Sequence, residues 1–253
     1  MNAVPPSPRT STISHRRLVG LDVFRGWAIV LMVIFHFSYD LAFFRFIDAN
    51  LARDVFWVYF RYVIVTIFML SVGVSLAMVH ARRIRWDRVG RRALLLGAAA
   101  VIVTISTRIQ SPHAWVYFGI LHLIWVASLV GLFFVGKPWI ALGVAVMIFI
   151  GSYDHGVLWQ WQHQLYLWTS PLLHLPRATE DLARFFPWFG AVLVGIAVHD
   201  LGWYRSFFSL PILAASNRLN RTLAFLGRHA LVIYLVHLPI LFGLVMGMRM
   251  ILR

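Results

Sequence analysis

Arg25 and His36 both lie inside one apolar run, Leu21–Leu41 (LDVFRGWAIVLMVIFHFSYDL), which is long enough to cross a bilayer as a single helix. Ionisable side chains cost several kcal/mol at the middle of a membrane unless they face protein or water, so they constrain the fold more than any apolar residue does. At ~100° per residue, Asp22, Arg25, His36 and Asp40 fall within an arc of about 60°. Four polar groups on one stripe require other helices to cover that stripe. Along the axis Arg25 and His36 stand ~16 Å apart, about half the hydrocarbon thickness. The stripe therefore spans depth.

The rest of the chain is built for the same solvent. Of 253 residues, 60% are hydrophobic and only 13% charged, with a mean hydropathy of +0.77; soluble domains are nearer a quarter charged. The expected fold is all-α, a polytopic transmembrane helix bundle of about seven spans. The hydrophobic segments are 21–43, 55–79, 93–108, 115–135, 138–152, 183–199 and 229–251. The segment 203–214 is short and broken by Pro211, so it is expected at the interface. A net charge of +14 invites a nucleic-acid reading, but 14 of the 23 Lys and Arg residues fall in four segments that share one side of such a bundle. Those segments are the tail, 80–92, the turn at Gly136–Pro138, and 200–228. This is the positive-inside pattern, and it places the N-terminus in the cytoplasm and speaks against nucleic acid. Outside are expected 44–54, 109–114 and a long loop, 153–182. Residues 1–17 read as a disordered basic tail and 18–253 as one transmembrane domain. The absence of cysteine removes disulfides and thiol chemistry. No metal-ligand spacing, phosphate loop or dinucleotide fingerprint is visible.

Sorted by depth, the polar residues form two expected layers. His36, Arg61 and His122 each lie about seven residues in from the outer ends, or ~10 Å deep, with Asp40 one turn above His36. Asp22, Arg25 and His237 are expected nearer the cytoplasmic face. A neutral histidine is a competent general base, and a nearby carboxylate can fix its tautomer. An arginine near the cytoplasmic mouth suits a phosphate or carbonyl oxygen. Acyl-CoA has a matching shape, a phosphorylated head on an arm about as long as the Arg25–His36 distance. Blander roles compete: Arg25 snorkelling to headgroups while pairing with Asp22, or His122 and His237 as packing residues. The aromatic run Trp159–Trp168 (WQWQHQLYLW) reads as an interfacial belt, with a sugar platform as the alternative.

The stretch Arg17–Leu41 (RLVGLDVFRGWAIVLMVIFHFSYDL) resembles the opening of the heparan-α-glucosaminide N-acetyltransferase catalytic-domain family. FGILHLI (Phe118–Ile124), the Arg-rich loop and LGRHALVIYLVHLPI (Leu226–Ile240) fit the same family. The Arg25–His36 spacing also matches the first helix of the wider transmembrane acyltransferase superfamily. This resemblance implies a membrane-bound acyltransferase that takes an acetyl or similar group from cytoplasmic acyl-CoA and delivers it to an extracytoplasmic sugar or lipid-linked sugar. Carried over, His36 is the base and Arg25 supports the donor, while His122 and His237 match family positions without an assigned role. The residue reading itself adds Asp40 to orient His36, Arg61 or His122 to stabilise the oxyanion, and Asp22 and His237 beside Arg25 on the donor side. The expected location is a bacterial inner membrane, among membrane lipids. Two other classes remain open: a proton-coupled transporter with a His36/Asp40 relay, and a partner-binding subunit whose buried charges lock helices together.

Overall fold

The computed structural model describes residues 18–179 and 181–252, so the expected tail at 1–17 lies outside the described residues. It is helical throughout, with no strand among those residues. Each of the seven hydrophobic segments forms a helix: α1 (Val19–Phe43), α2 (Val55–His80), α3 (Trp86–Gln110), α4 (Ile120–Gly131), α5 (Pro138–Ser152), α7 (Phe185–Asp200) and α11 (Ala230–Ile251). Five helices among the described residues are long and apolar enough to cross a membrane: α1, α2, α3, Pro138–His155 and α11. Two more apolar helices, Ile120–Phe134 and Phe185–Asp200, are shorter. The near end of the bundle is the one where α1 starts, and the far end the one where α1 finishes.

Three expected loops turn out to be structured. The 153–182 segment contains a full helix, α6 (Val157–Leu173), whose side chains are all at least partly exposed. The Trp159–Trp168 run belongs to this helix, where Trp159 stacks on His163 and Tyr166 on Tyr117. Alternating Gln and aromatic residues gave no clean apolar face for a periodicity argument to find. The Arg-rich 80–92 segment is shorter than expected, because α3 begins at Trp86 and takes Arg88, Arg91 and Arg92 with it.

The largest departure is in 200–228, expected as a loop. It folds into α8 (Tyr204–Phe208), α9 (Pro211–Ala214) and α10 (Arg218–Arg228). Asn217 caps α10 by accepting the Asn220 backbone N–H at 2.7 Å. The Asn220 side chain donates to the carbonyls of Ile212 and Ala215, tying α9 to α10. Asn220, Leu223, Ala224 and Gly227 are buried, the i, i+3, i+4, i+7 pattern of a helix with one packed face. That face meets α1 at a glycine crossing. A Cβ on Gly26 would run into the Leu223 carbonyl, and a Cβ on Gly227 into the Asp22 carbonyl. Small residues let membrane helices approach backbone to backbone where dispersion, not water exclusion, holds them. A second crossing of this kind joins α2 to α7, where Gly73 abuts Val192 and Gly195 abuts Leu70.

The core follows from these crossings. Met69, Val72 and Leu76 of α2 interleave with Leu123 of α4, Ala141 and Ala145 of α5, and Val192, Leu193 and Ile196 of α7. On the other side of α2, α1 packs Ile29, Met32 and Phe35 against Ile64, with Leu226, Ala230, Ile233 and Tyr234 closing the cluster. Because α10 runs alongside α1, α11 starts at the level of Ile29 rather than at the near end. That offset decides which histidines meet.

Candidate active site

The stripe on α1 is covered as its charges demand. At the near end, Arg25 turns toward α2, donating to the Ser75 hydroxyl and to the Ser71 carbonyl at 3.3 Å. Its guanidinium lies 3.7 Å from the Asp22 carboxylate and remains 23% exposed. Arg25 is therefore an interhelical tie with part of its surface still accessible, and its fork geometry allows both at once.

His36, half-buried toward the far end, stands beside His237 of α11, with ring centroids 5.0 Å apart. This corrects the expected depth of His237, which belongs to the His36 layer and not to that of Arg25. The cause is the offset of α11 by α10: a helix counted from the near end would put residue 237 far short of residue 36. His237 is buried, and its Nδ1–H donates to the Tyr234 carbonyl at 2.7 Å. A carbonyl only accepts, so the neutral ring is held as the Nδ1–H tautomer. Its Nε2 lone pair is buried and without a hydrogen-bond partner among the described residues. An imidazole oriented through one nitrogen and open at the other is ready to take a proton.

Asp40 is buried one turn from His36, yet no hydrogen bond joins it to His36 among the described residues, and its Oδ2 is unpaired there. The neighbour of His36 is thus a second imidazole, not the expected carboxylate.

At the start of α4, which His122 helps to hold, stands a residue absent from the expected set, Asp181. Its Oδ2 accepts the Ile120 N–H at 2.9 Å, at the first turn of α4, where the helix dipole favours a negative charge. The Tyr234 hydroxyl donates to the same oxygen at 3.5 Å, and the charge of exposed Arg61 acts on it. Gly119 makes room, since a side chain there would collide with the carboxylate. His122 Nδ1 accepts the Gly119 N–H at 3.3 Å, and its Nε2 lies 3.2 Å from the Thr104 hydroxyl, which itself donates to the Val116 carbonyl. Both His122 nitrogens are therefore engaged in holding the start of α4. Tyr234 links the two groups, its backbone carbonyl accepting from His237 and its hydroxyl donating to Asp181, while His36 joins the network through its ring contact with His237. Asp181 escaped sequence reasoning because it lies in a stretch with no apolar period; its one signal is an acidic residue just before an apolar helix in a chain with nine acidic residues in all.

Burial pushes the Asp181 carboxyl above its ordinary value, opposed by the Ile120 N–H, the Tyr234 hydroxyl and Arg61. A carboxyl with a higher pKa folded than unfolded binds more protons in the folded chain. Its contribution is full below the unfolded value of about 3.9 and is lost as pH rises through the folded one. Asp181→Asn keeps an acceptor for Ile120 and is expected to flatten the fall in thermal midpoint from about pH 4 upward. An unchanged slope in that variant would assign the effect to another group.

A family model described as heparan-alpha-glucosaminide N-acetyltransferase, catalytic, matches residues 17–239, most of the chain and every residue of this polar network. No curated protein matches the chain. No solved structure does either.

Proposed function

The chain belongs to the heparan-α-glucosaminide N-acetyltransferase catalytic family, a family of membrane acetyltransferases, and from that premise we propose that it transfers an acetyl or similar acyl group from acyl-CoA to a sugar hydroxyl or amine. The observation that carries this reading is the pair His36 and His237, with an open Nε2 on a ring of fixed tautomer. In our reading the N-terminus is cytoplasmic and the membrane a bacterial inner membrane. The donor enters at the near end, where Arg25 with Asp22 supports it, and the acceptor, an extracytoplasmic glycan or lipid-linked sugar, meets it at the far end.

The chemistry is direct attack. His36 takes the acceptor proton as the new bond to the acyl carbon forms. The tetrahedral oxyanion collapses with cleavage of the carbon–sulfur bond, and the thiolate leaves and is protonated by the His36 imidazolium. His237 lies close enough to share that proton during the cycle, which gives it a catalytic part in the His36 layer in place of the expected donor-side one. Arg61 is the cation available to the oxyanion. Asp40 stands one turn beyond His36, and His122 shapes the α4 end of the site.

Direct attack requires both substrates on the protein before either product leaves. Initial rates in proteoliposomes, with acetyl-CoA and an amino sugar varied together, are expected to give intersecting double-reciprocal lines. Parallel lines would replace direct attack with an acyl-enzyme route. The same histidine pair would serve a proton-coupled carrier, and proton-linked sugar uptake without any release of CoA would favour that second reading.

A further inference from the structure

Across α2 from the histidine pair, an apolar groove runs along the second half of α5 to the far end, between α4, α5, α6 and α7. Ile148 and Phe189 form its buried floor, and Met147 and Val157 its exposed rim. Every side chain that lines it is apolar, and its volume is about 520 Å³. A methylene takes up about as much space as a water, ~30 Å³, so the groove accommodates one hydrocarbon chain of about 17 carbons.

Apolarity alone does not choose the occupant, because lipid tails are as apolar as leucine and bathe every outward face of a membrane bundle. The choice comes from the polar end. Arg184 is the N-cap residue of α7, two residues before Phe186 of the groove wall. It is exposed, its guanidinium lies over the Trp159 ring at 4.7 Å, and the phenols of Tyr62 and Tyr117 act on its charge. No carboxylate pairs with it among the described residues. A guanidinium in that state suits a phosphate through charge-assisted hydrogen bonds. The same short segment carries Asp181 and is laid against the start of α4, where the Ala183 N–H donates to the Phe118 carbonyl at 3.0 Å and the Ile120 N–H donates to Asp181. One end of the segment therefore meets the groove and the other meets the polar network of the active site.

We propose that the groove holds the hydrocarbon chain of the acceptor, a sugar joined through phosphate to a single long chain, with the phosphate on Arg184 and the sugar toward Asp181. A bilayer phospholipid brings two chains to a groove with room for one. A fatty acid esterified to a sugar loses its charge, whereas a phosphate joined to both a chain and a sugar keeps one negative charge for Arg184. The sugar rests on the acyl-transfer reading; the places of the chain and the phosphate rest on the groove and Arg184 alone. A protein that binds the lipid phosphate here and transfers no acyl group would sink the proposed function and leave this site intact. Transfer to a free amino sugar by a protein that binds nothing in the groove would do the reverse.

The test uses the full chain in phosphatidylcholine nanodiscs, labelled with hexadecyl phosphate that carries a photoreactive diazirine in its chain. Mass spectrometry of the peptides locates the label, which is expected to concentrate on the groove-lining parts of α5 and α7. Unlabelled hexadecyl phosphate is expected to displace the probe about tenfold better than hexadecanol or phosphatidylglycerol, and about threefold better than palmitate. Arg184→Gln is expected to weaken labelling about tenfold and to erase that preference. Met147→Trp, which fills the groove from its rim, is expected to weaken labelling about threefold and keep the preference. Label spread evenly over the outward faces of α3 and α11 overturns the proposal. So does displacement by hexadecanol, palmitate or phosphatidylglycerol equal to that by hexadecyl phosphate. Labelling at the wild-type level in well-folded Arg184→Gln, or in Met147→Trp, overturns it as well.

Discussion

His36→Ala is expected to lower acyl transfer by about a thousandfold, within the range general bases contribute, while the thermal midpoint stays close to that of the wild type. The His36 ring is half-buried and makes ring contacts with Phe35 and His237 rather than holding a helix end. Its removal therefore takes away a proton acceptor with little else. His237→Asn is expected to cost about tenfold, because it removes the partner for the proton and leaves His36 in place. Transfer of labelled acetyl groups in proteoliposomes, read beside a melting curve, measures both effects. A His36→Ala protein that melts normally and still transfers at a wild-type rate would remove His36 from the chemistry.

The second large effect concerns the α1–α10 crossing. Gly227→Val is expected to abolish the native packing or to lower the thermal midpoint by at least about 10 °C, since a side chain there meets the Asp22 backbone carbonyl, which cannot move aside as a flexible side chain would. Gly26→Val is expected to do the same through the Leu223 carbonyl. Gly143→Ala on α5 is the control, because nothing lies within 4 Å of its added methyl group and α5 keeps its helix. Equal melting of Gly227→Val and Gly143→Ala would mean that α10 is not packed on α1. Loss of the crossing also predicts loss of activity, because α10 sets the level at which His237 enters.

Part of the site was legible in the order of residues. Arg25 and His36 on one stripe of an apolar helix required inward-facing partners, and both have them: α2 for Arg25 and α11 for His36. The motif Phe118–Ile124, which fits the family, covers the start of α4, where Gly119, Ile120 and His122 organise the far end, although the apolar segment itself was expected from residue 115. The partner of His36 was not legible. Residue 237 is reached only after α10, and a charged, amphipathic segment following Pro211 reads equally well as a loop. Asp181 was hidden for a related reason, since its role comes from a carboxylate meeting a helix terminus 61 residues away in sequence.

Composition, apolar segment length and the cost of buried charge were enough to specify an all-helical membrane protein and to mark the one helix whose polar stripe had to be covered. Those are local quantities, summed along the chain. Which groups cover the stripe depends on where backbones can touch, and that rests on two glycine crossings between segments distant in sequence. The crossing of α10 with α1 set the offset of α11, and the offset turned two isolated histidines into a pair. Close packing is a property of surfaces brought together, so only the tertiary structure decided it.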